Sequence, residues 1–168
     1  MRLLFVRHGQ AEARETWPGG DDDRPLTAEG RRAMAREAAA MARLGVAPDV
    51  ICTSPLVRAR ETAEIVAEGL GRGDRVRDDE RLASGFGPAQ LRAIVGENEK
   101  VETIMFVGHE PDFSLTIGDL VGGASVVCKK GGLARVDIDA VSGAAELVWL
   151  VPPKLLTLST SKGASGGD

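Results

Sequence analysis

The chain contains two histidines, and each follows a short apolar run. His8 comes after 3–6 and His109 after 103–107, and both runs are typical of strands that are covered on both faces. In open α/β sheets, ligands bind outside the carboxyl ends of the strands. We therefore expect both imidazoles in one crevice, although they lie about a hundred positions apart in the chain.

Two other interpretations of the histidines stay open. They are either unrelated side chains at strand ends or ligands of a metal ion, since imidazole is the commonest transition-metal ligand. A metal site would need a third ligand. The carboxylates available for it are Glu110, Asp112 and the aspartates at 21–23, and none of them shows a recognisable ligand spacing.

Two arginines accompany the histidines. Arg7 precedes His8, and Arg58 lies in the helix that follows the second predicted strand. A guanidinium presents a planar fork of donors that matches phosphate oxygens, and helix N-termini also favour anions. The histidines and arginines together predict a pocket for a phosphoryl group. Taken alone, Arg58 has the alternative of a solvated helix residue paired with Glu61 or Thr62.

Strands and helices alternate along the chain, which is typical of an α/β domain with a mostly parallel sheet flanked by helices. Thr27 and Ser54 are predicted to cap two of the helices, and short links between the last strands predict an antiparallel edge. Strands are predicted at 3–6, 50–52, 75–77 (an edge strand), 103–107, 125–128, 133–138 and 145–151, and helices after Thr27, after Ser54, and at about 89–96 and 112–120.

Composition narrows the functional classes. The 168 residues suffice for one domain, predicted at 1–155, and the Ser/Gly-rich stretch 156–168 is predicted to be a flexible tail. The net charge of −4 argues against a nucleic-acid surface, which needs a basic excess. The apolar runs are too short for a membrane span, so a cytoplasmic location is expected.

Two local features allow more than one interpretation. Cys52 and Cys128 lie in apolar runs, where buried thiols are favoured over a disulfide in a reducing compartment. The acidic loop at 21–23 is expected to be a soluble surface loop, with cation binding or repulsion of wrong substrates as the alternative.

Four motifs resemble the histidine phosphatase, or phosphoglycerate mutase-like, superfamily. Together they extend from the first residue to about position 120. Within the superfamily, the short length and the blocks at 23–27 and 107–109 are most similar to the phosphohistidine phosphatase group called SixA. The motifs are Arg7-His8-Gly9, Pro25-Leu26-Thr27 with Gly30, Ser54-Pro55 with Arg58-Ala59 and Thr62-Ala63, and Gly108-His109-Glu110-Pro111.

The resemblance implies a fold and a chemistry. The fold would be a three-layer α/β/α sandwich with a mixed, mainly parallel sheet. His8 would be the nucleophile that forms a covalent phosphohistidine, with neither a metal nor an organic cofactor. The residues that bind the phosphoryl oxygens would be Arg7, Gly9, Arg24, Arg58 and His109. Of these, Arg7, Arg58 and His109 would also be catalytic.

The sequence departs from the family where many members carry a catalytic glutamate. Ser84 stands at the expected position, so Glu80 and Glu110 are the candidate displaced acids. Loss of a general acid should slow ester hydrolysis by roughly 10²–10⁴-fold, whereas protonated phosphoimidazole expels neutral imidazole without one. This favours a phosphohistidine phosphatase acting on a protein such as a phosphotransfer domain. The alternatives are a phosphatase for small phosphate esters or sugar phosphates and a phosphate-binding module without turnover.

Overall fold

A computed structural model describes residues 1–139 and 141–158. Within these residues the strands form one six-stranded sheet in the order β3-β2-β4-β1-β5-β6. The pairs β3-β2, β2-β4 and β4-β1 are parallel, whereas β1-β5 and β5-β6 are antiparallel. The strands are β1 (Arg2–Arg7), β2 (Val50–Thr53), β3 (Val76–Asp78), β4 (Thr103–Gly108), β5 (Leu133–Ile138) and β6 (Ala145–Val151).

Helices cover both faces of the sheet because the central strands are apolar on both sides. Successive side chains of a strand point to opposite faces. Leu4 and Val6 of β1 pack with one buried cluster, and Leu3 and Phe5 pack with the other. The first cluster includes residues of α1 (Ala28–Arg43), α2 (Val57–Gly69) and α5 (Pro153–Leu158), and the second includes residues of α3 (Pro88–Glu97) and α4 (Asp112–Leu120). The predicted three-layer, mixed and mainly parallel α/β/α sandwich is confirmed.

Local signals in the sequence account for both ends of α1. The Thr27 hydroxyl accepts from the Gly30 N–H at 2.9 Å, which confirms the predicted N-cap. At the other end, Gly45 has a φ of +72°, where a side chain would be strained. Its N–H donates to the Ala42 carbonyl, and the next N–H, of Val46, donates to the Met41 carbonyl. These two bonds satisfy carbonyls that the ended helix leaves unpaired.

Two predictions about local structure are wrong. Ser54 does not begin a helix, because α2 starts at Val57 and the Ser54 hydroxyl lies 2.8 Å from the His109 ring. The segment 125–128 is not a strand, because β5 already pairs with β1 on one edge and with β6 on the other. The backbone of Cys128 instead bonds side chains, accepting from Arg7 Nη1 at 3.0 Å and donating to the Ser114 hydroxyl at 3.0 Å.

Three further sequence-based expectations concern the cysteines, the domain boundary and membrane-spanning segments. Cys52 and Cys128 are buried free thiols, as favoured from the sequence. The boundary predicted at 155 falls inside α5, where Leu156 is buried against the core, and 159–168 lie outside the described residues. In the part of the chain that the structure describes, every helix is too short or too polar to cross a membrane.

Candidate active site

Three parallel strands end at one crevice. β1 leads into His8, β2 into Ser54 and β4 into His109. The strand pairing continues past the ends, because the His8 N–H donates to the Gly108 carbonyl and the Ser54 N–H to the Val107 carbonyl, each at 3.0 Å. The ring centroids of the two histidines are 5.2 Å apart. The structure therefore brings the two imidazoles together at the carboxyl end of the sheet.

Gly9 and Thr62 fix the protonation and orientation of the His8 ring. His8 Nδ1 lies 2.8 Å from the Gly9 carbonyl, and because a carbonyl only accepts, Nδ1 carries the proton. The Gly9 N–H donates to the Thr62 hydroxyl at 3.1 Å, and that hydroxyl donates to the Arg58 carbonyl at 2.7 Å. A side chain at Gly9 would come within 2.7 Å of Met34 Cγ. His8 Nε2 is left with a lone pair, which is the state a nucleophile needs.

Burial keeps both imidazoles neutral when only the groups of the protein surround them. Burial is the main cause that lowers the pKa of His8 to about 3, opposed by the bond to Gly9 and assisted by the nearby His109, Arg58 and Arg7. The pKa of His109 is lowered to about 4, again mainly by burial and then by Arg58. With the protein groups alone, His109 is therefore neutral, as His8 is. A phosphoryl group would raise its pKa, because an adjacent negative charge favours imidazolium.

His109 is held by Ser54. Its Nε2 lies 2.8 Å from the Ser54 hydroxyl, which also accepts from the Leu56 N–H at 3.3 Å. When that hydroxyl donates to Nε2, the neutral ring carries its proton on Nδ1. Nδ1 is buried and has no hydrogen-bond partner among the residues described. His109 can therefore donate from Nδ1 to an anion in the crevice.

The arginines are anchored through their terminal nitrogens. Arg7 Nη1 donates to the Cys128 carbonyl at 3.0 Å, and Arg58 Nη1 donates to the Asp21 carbonyl at 2.7 Å. In both arginines the Nε is buried and has no partner in the described part of the chain. Arg58 itself is buried, so the alternative of a solvated helix residue is wrong. Two guanidiniums with unused donors are suited to the oxygens of a phosphoryl group.

Arg24 and Arg58 are joined by the carboxylate of Asp21. Arg24 donates from Nε and Nη2 to Asp21 Oδ1 at 3.1 and 3.0 Å, and from Nη1 to the Glu12 carbonyl at 2.8 Å. Arg58 Nη2 donates to Asp21 Oδ2 at 3.1 Å. Of the acidic loop at 21–23, only Asp21 lines the crevice. Arg24 thus reaches the crevice, but its donors are taken by protein oxygens.

The crevice has a volume of about 410 Å³ and a mostly polar lining. Among residues 1–139 and 141–158, no group of three or more His, Cys, Asp or Glu side chains is arranged to hold a metal ion. The lining consists of Arg7, His8, Arg14, Asp21, Arg24, Arg58, Ser84, His109, Glu110, Pro111, Asp112 and Lys130.

The family model for the histidine phosphatase superfamily (branch 1) matches residues 3–113 of this chain. The chain belongs to the histidine phosphatase superfamily. This histidine phosphatase is 32% identical over 173 residues to an uncharacterized protein of Picosynechococcus sp., covering 93% of this chain and 99% of that one. The predicted family and enzyme class, a phosphatase of this superfamily, are confirmed.

Solved structures show the same fold. The protein histidine phosphatase SixA, complexed with tungstate, superposes with a TM-score of 0.83 at 24% identity, covering 92% of this chain and 98% of that one. The alpha-ribazole phosphatase from Shigella flexneri superposes with a TM-score of 0.73 at 21% identity, covering 91% and 97%. At these identities the likeness concerns the fold, and it spans nearly the whole of each chain.

The histidine phosphatase presents one of the two candidate acids to the crevice. Glu110 lines it, and Glu110 Oε1 is buried without a partner among the residues that the structure describes. Glu80 is exposed in the short helix Glu80–Leu82, outside the lining. Ser84, at the position of the expected glutamate, also lines the crevice. The geometry therefore favours Glu110 over Glu80.

Three residues that contact the candidate site residues, Ser54, Thr62 and Asp21, are not predicted to do so from the sequence. The sequence predicts a helix cap for Ser54, gives Thr62 only as a member of a motif and a possible partner of Arg58, and offers Asp21 as one of several loop aspartates. Thr62 carried a usable signal, because it lies four positions after Arg58 and neighbours it on the same face of α2. For Asp21 the sequence gives no comparable signal, since its contacts depend on the path of the loop.

Proposed function

We propose that this histidine phosphatase removes the phosphoryl group from a phosphorylated histidine of a protein, such as a phosphotransfer domain, through a covalent intermediate on His8. The observation that carries the proposal is the state of the His8 ring. Its proton is held on Nδ1 by Gly9, which leaves the lone pair on Nε2, and Arg7, Arg58 and His109 line the same crevice with buried nitrogens that have no partner among the described residues. A neutral imidazole in such surroundings is a competent nucleophile for phosphorus.

The reaction has two displacements. In the first, His8 Nε2 forms a bond to phosphorus while the bond from phosphorus to the substrate imidazole breaks, and the protonated substrate ring leaves as neutral imidazole. In the second, a water oxygen attacks phosphorus, the bond to Nε2 breaks and inorganic phosphate leaves with the protons of the water. Arg7, Arg58 and His109 stabilise the negative charge on the phosphoryl oxygens in both steps.

The absence of a glutamate at Ser84 favours an N-phosphoryl substrate. An alkoxide leaving group requires a proton from a general acid, whereas a protonated phosphoimidazole already carries it. The similarity in fold to the protein histidine phosphatase SixA supports the same substrate class. Gly9 and Arg24 are proposed to complete the phosphate site indirectly. Gly9 fixes the His8 ring, and Arg24 holds Asp21, which in turn binds Arg58.

A second candidate is a phosphatase for small phosphate esters or sugar phosphates. It is favoured by Glu110, whose buried Oε1 has no partner within the described part of the chain and, at the crevice, is suited to protonating an ester oxygen. In this candidate the nucleophile and the phosphate-binding residues are unchanged. The two candidates differ only in the leaving group and in the need for Glu110.

A turnover comparison tests the proposal. The purified protein is incubated with a phosphotransfer domain carrying ³²P-phosphohistidine and, separately, with a panel of sugar phosphates, and kcat/KM is measured for each. The proposal predicts the higher value for the phosphoprotein and no turnover of either by the His8→Ala variant. Equal or higher values on the panel would establish the ester phosphatase, and a protein that binds phosphate but turns over nothing would be a binding module.

A further inference from the structure

The crevice contains an anion site that the protein fills with its own carboxylate. Asp21 Oδ1 accepts from Arg24 Nε and Nη2 and lies 3.6 Å from Arg14 Nε. Asp21 Oδ2 accepts from Arg58 Nη2 at 3.1 Å. One carboxylate is therefore bound by three guanidiniums. The side chains of Arg58 and Arg24 are only 7% and 15% exposed, so these two arginines are built into the crevice wall, whereas Arg14, at 76%, reaches Asp21 from the surface.

This anion site lies next to the proposed phosphoryl site, because Arg58 belongs to both. Its two terminal nitrogens bind the backbone carbonyl and the carboxylate of Asp21, and its buried Nε has no partner among residues 1–139 and 141–158. A guanidinium offers its donors in one plane with fixed spacing. A group bound at Nε and a group bound at Nη2 are therefore neighbours in the crevice.

The charge on Asp21 is maintained over the physiological range. Partial desolvation opposes ionisation, but the hydrogen bond from Arg24 and the positive charges of Arg58 and Arg24 outweigh it and lower the pKa of the carboxyl. A second anion entering the same place would meet a like charge and arginine donors that are already used. Like-charge contact of this kind is a usual means of rejecting the wrong ligand.

We propose that Asp21 is a specificity-determining residue that occupies the place of a second anionic group and so excludes phosphorylated acids in favour of phosphoryl donors without a neighbouring carboxylate. This inference rests on the proposed function only in taking His8 to mark the phosphoryl site. A phosphorylated histidine side chain within a protein has no carboxylate beside its phosphoryl group and is accepted. Phosphorylated hydroxy and amino acids carry one and are rejected.

Two ligands that differ only by a carboxylate provide the test. O-phosphoserine is phosphoethanolamine with a carboxylate added, and both are titrated calorimetrically into the His8→Ala variant, which lacks the nucleophile. We expect phosphoethanolamine to bind more tightly. Adding Asp21→Asn releases three guanidiniums from their internal anion and should move the ratio of the two Kd values towards phosphoserine by about tenfold, the gain expected from one charge-assisted contact.

A matched variant separates this effect from a general change of charge. Asp23→Asn, in the same background, removes the same charge from an exposed position of the same loop and should leave the ratio unchanged. Asp21→Ala should repeat the shift seen with Asp21→Asn. An unchanged ratio in both Asp21 variants, an equal loss for both ligands, or no measurable binding of phosphoserine by either Asp21 variant would overturn the inference.

Failure of this inference is distinguishable from failure of the proposed function. The binding ratio is measured without turnover, whereas the proposed function is tested by hydrolysis of the phosphoprotein with His8 intact. An active wild-type phosphohistidine phosphatase with an unchanged ratio in the Asp21 variants overturns the specificity role alone. A shifted ratio in a protein that favours sugar phosphates overturns the substrate class and leaves the role of Asp21 standing.

Discussion

The two buried imidazoles should make the protein lose stability as the pH falls from 7 to 5. Each histidine is 7% exposed, and the pKa values are lowered from 6.5 to about 3 for His8 and about 4 for His109. Below pH 6.5 the unfolded chain binds a proton on each ring, while the folded chain does so only near pH 4 and below. The folded state therefore loses about 2 kcal/mol per histidine between pH 7 and 5, or about 4 kcal/mol together.

Urea unfolding at the two pH values measures this loss, provided that it is compared with a variant lacking both imidazoles. The comparison is needed because burial raises the pKa of Glu37 to about 8, and that carboxyl stabilises the fold on acidification. The free energy of unfolding of the wild type should fall by about 4 kcal/mol more than that of the His8→Gln/His109→Gln variant.

The same prediction has a spectroscopic form. The chain has only two histidines, so the ring C–H resonances in an NMR titration can be assigned with single variants. Neither ring should titrate above pH 5 in phosphate-free buffer. Midpoints near pH 6.5, or an equal pH dependence of stability in the wild type and the double variant, would refute the argument that burial sets the state of these rings.

Three further changes have defined outcomes. Ser54→Ala removes the partner of His109 Nε2 and the acceptor of the Leu56 N–H, so it should lower kcat about tenfold and cost about 1–3 kcal/mol of stability, as steady-state kinetics and urea unfolding would show. An unchanged kcat would mean that the hydroxyl does not orient the ring. Thr62→Val leaves the buried Gly9 N–H unpaired and should cost about 1–3 kcal/mol in urea unfolding, whereas an effect below about 0.5 kcal/mol would exclude that role. Glu110→Gln should slow hydrolysis of aryl and alkyl phosphates by roughly 10²-fold while leaving hydrolysis of a phosphohistidine protein nearly unchanged. Glu80→Gln, the control, should change neither rate. Equal losses on both substrates would contradict the assignment of Glu110 as a general acid for esters.

Strand-end residues were the part of the site that the sequence could predict. A parallel strand is a short apolar run, and its carboxyl end faces the crevice whatever the loops do. The positions of His8 and His109 therefore followed from the two runs that precede them, and Arg7 followed from its place beside His8. The covered faces of the same runs also predicted the layered fold.

Residues whose role depends on a partner far along the chain were not predictable. Ser54 has the sequence context of a helix cap, and only the closeness of β2 to β4 turns its hydroxyl towards His109. Asp21 lies in a polar loop, and its three arginine partners come from 14, 24 and 58. The segment 125–128 has the alternation of a strand, but the neighbouring strands had already used both edges of β5.

Transfer of the phosphoryl group to His8 is the central claim, and trapping the intermediate tests it most directly. The protein is mixed with a ³²P-labelled phosphohistidine protein, and the reaction is quenched within milliseconds in alkali. The protein is then digested, and the labelled peptide is sequenced by mass spectrometry. The account predicts one acid-labile, alkali-stable phosphoryl group on His8, and none in the His8→Ala variant. A label on any other residue, or full turnover by the His8→Ala variant, would contradict it.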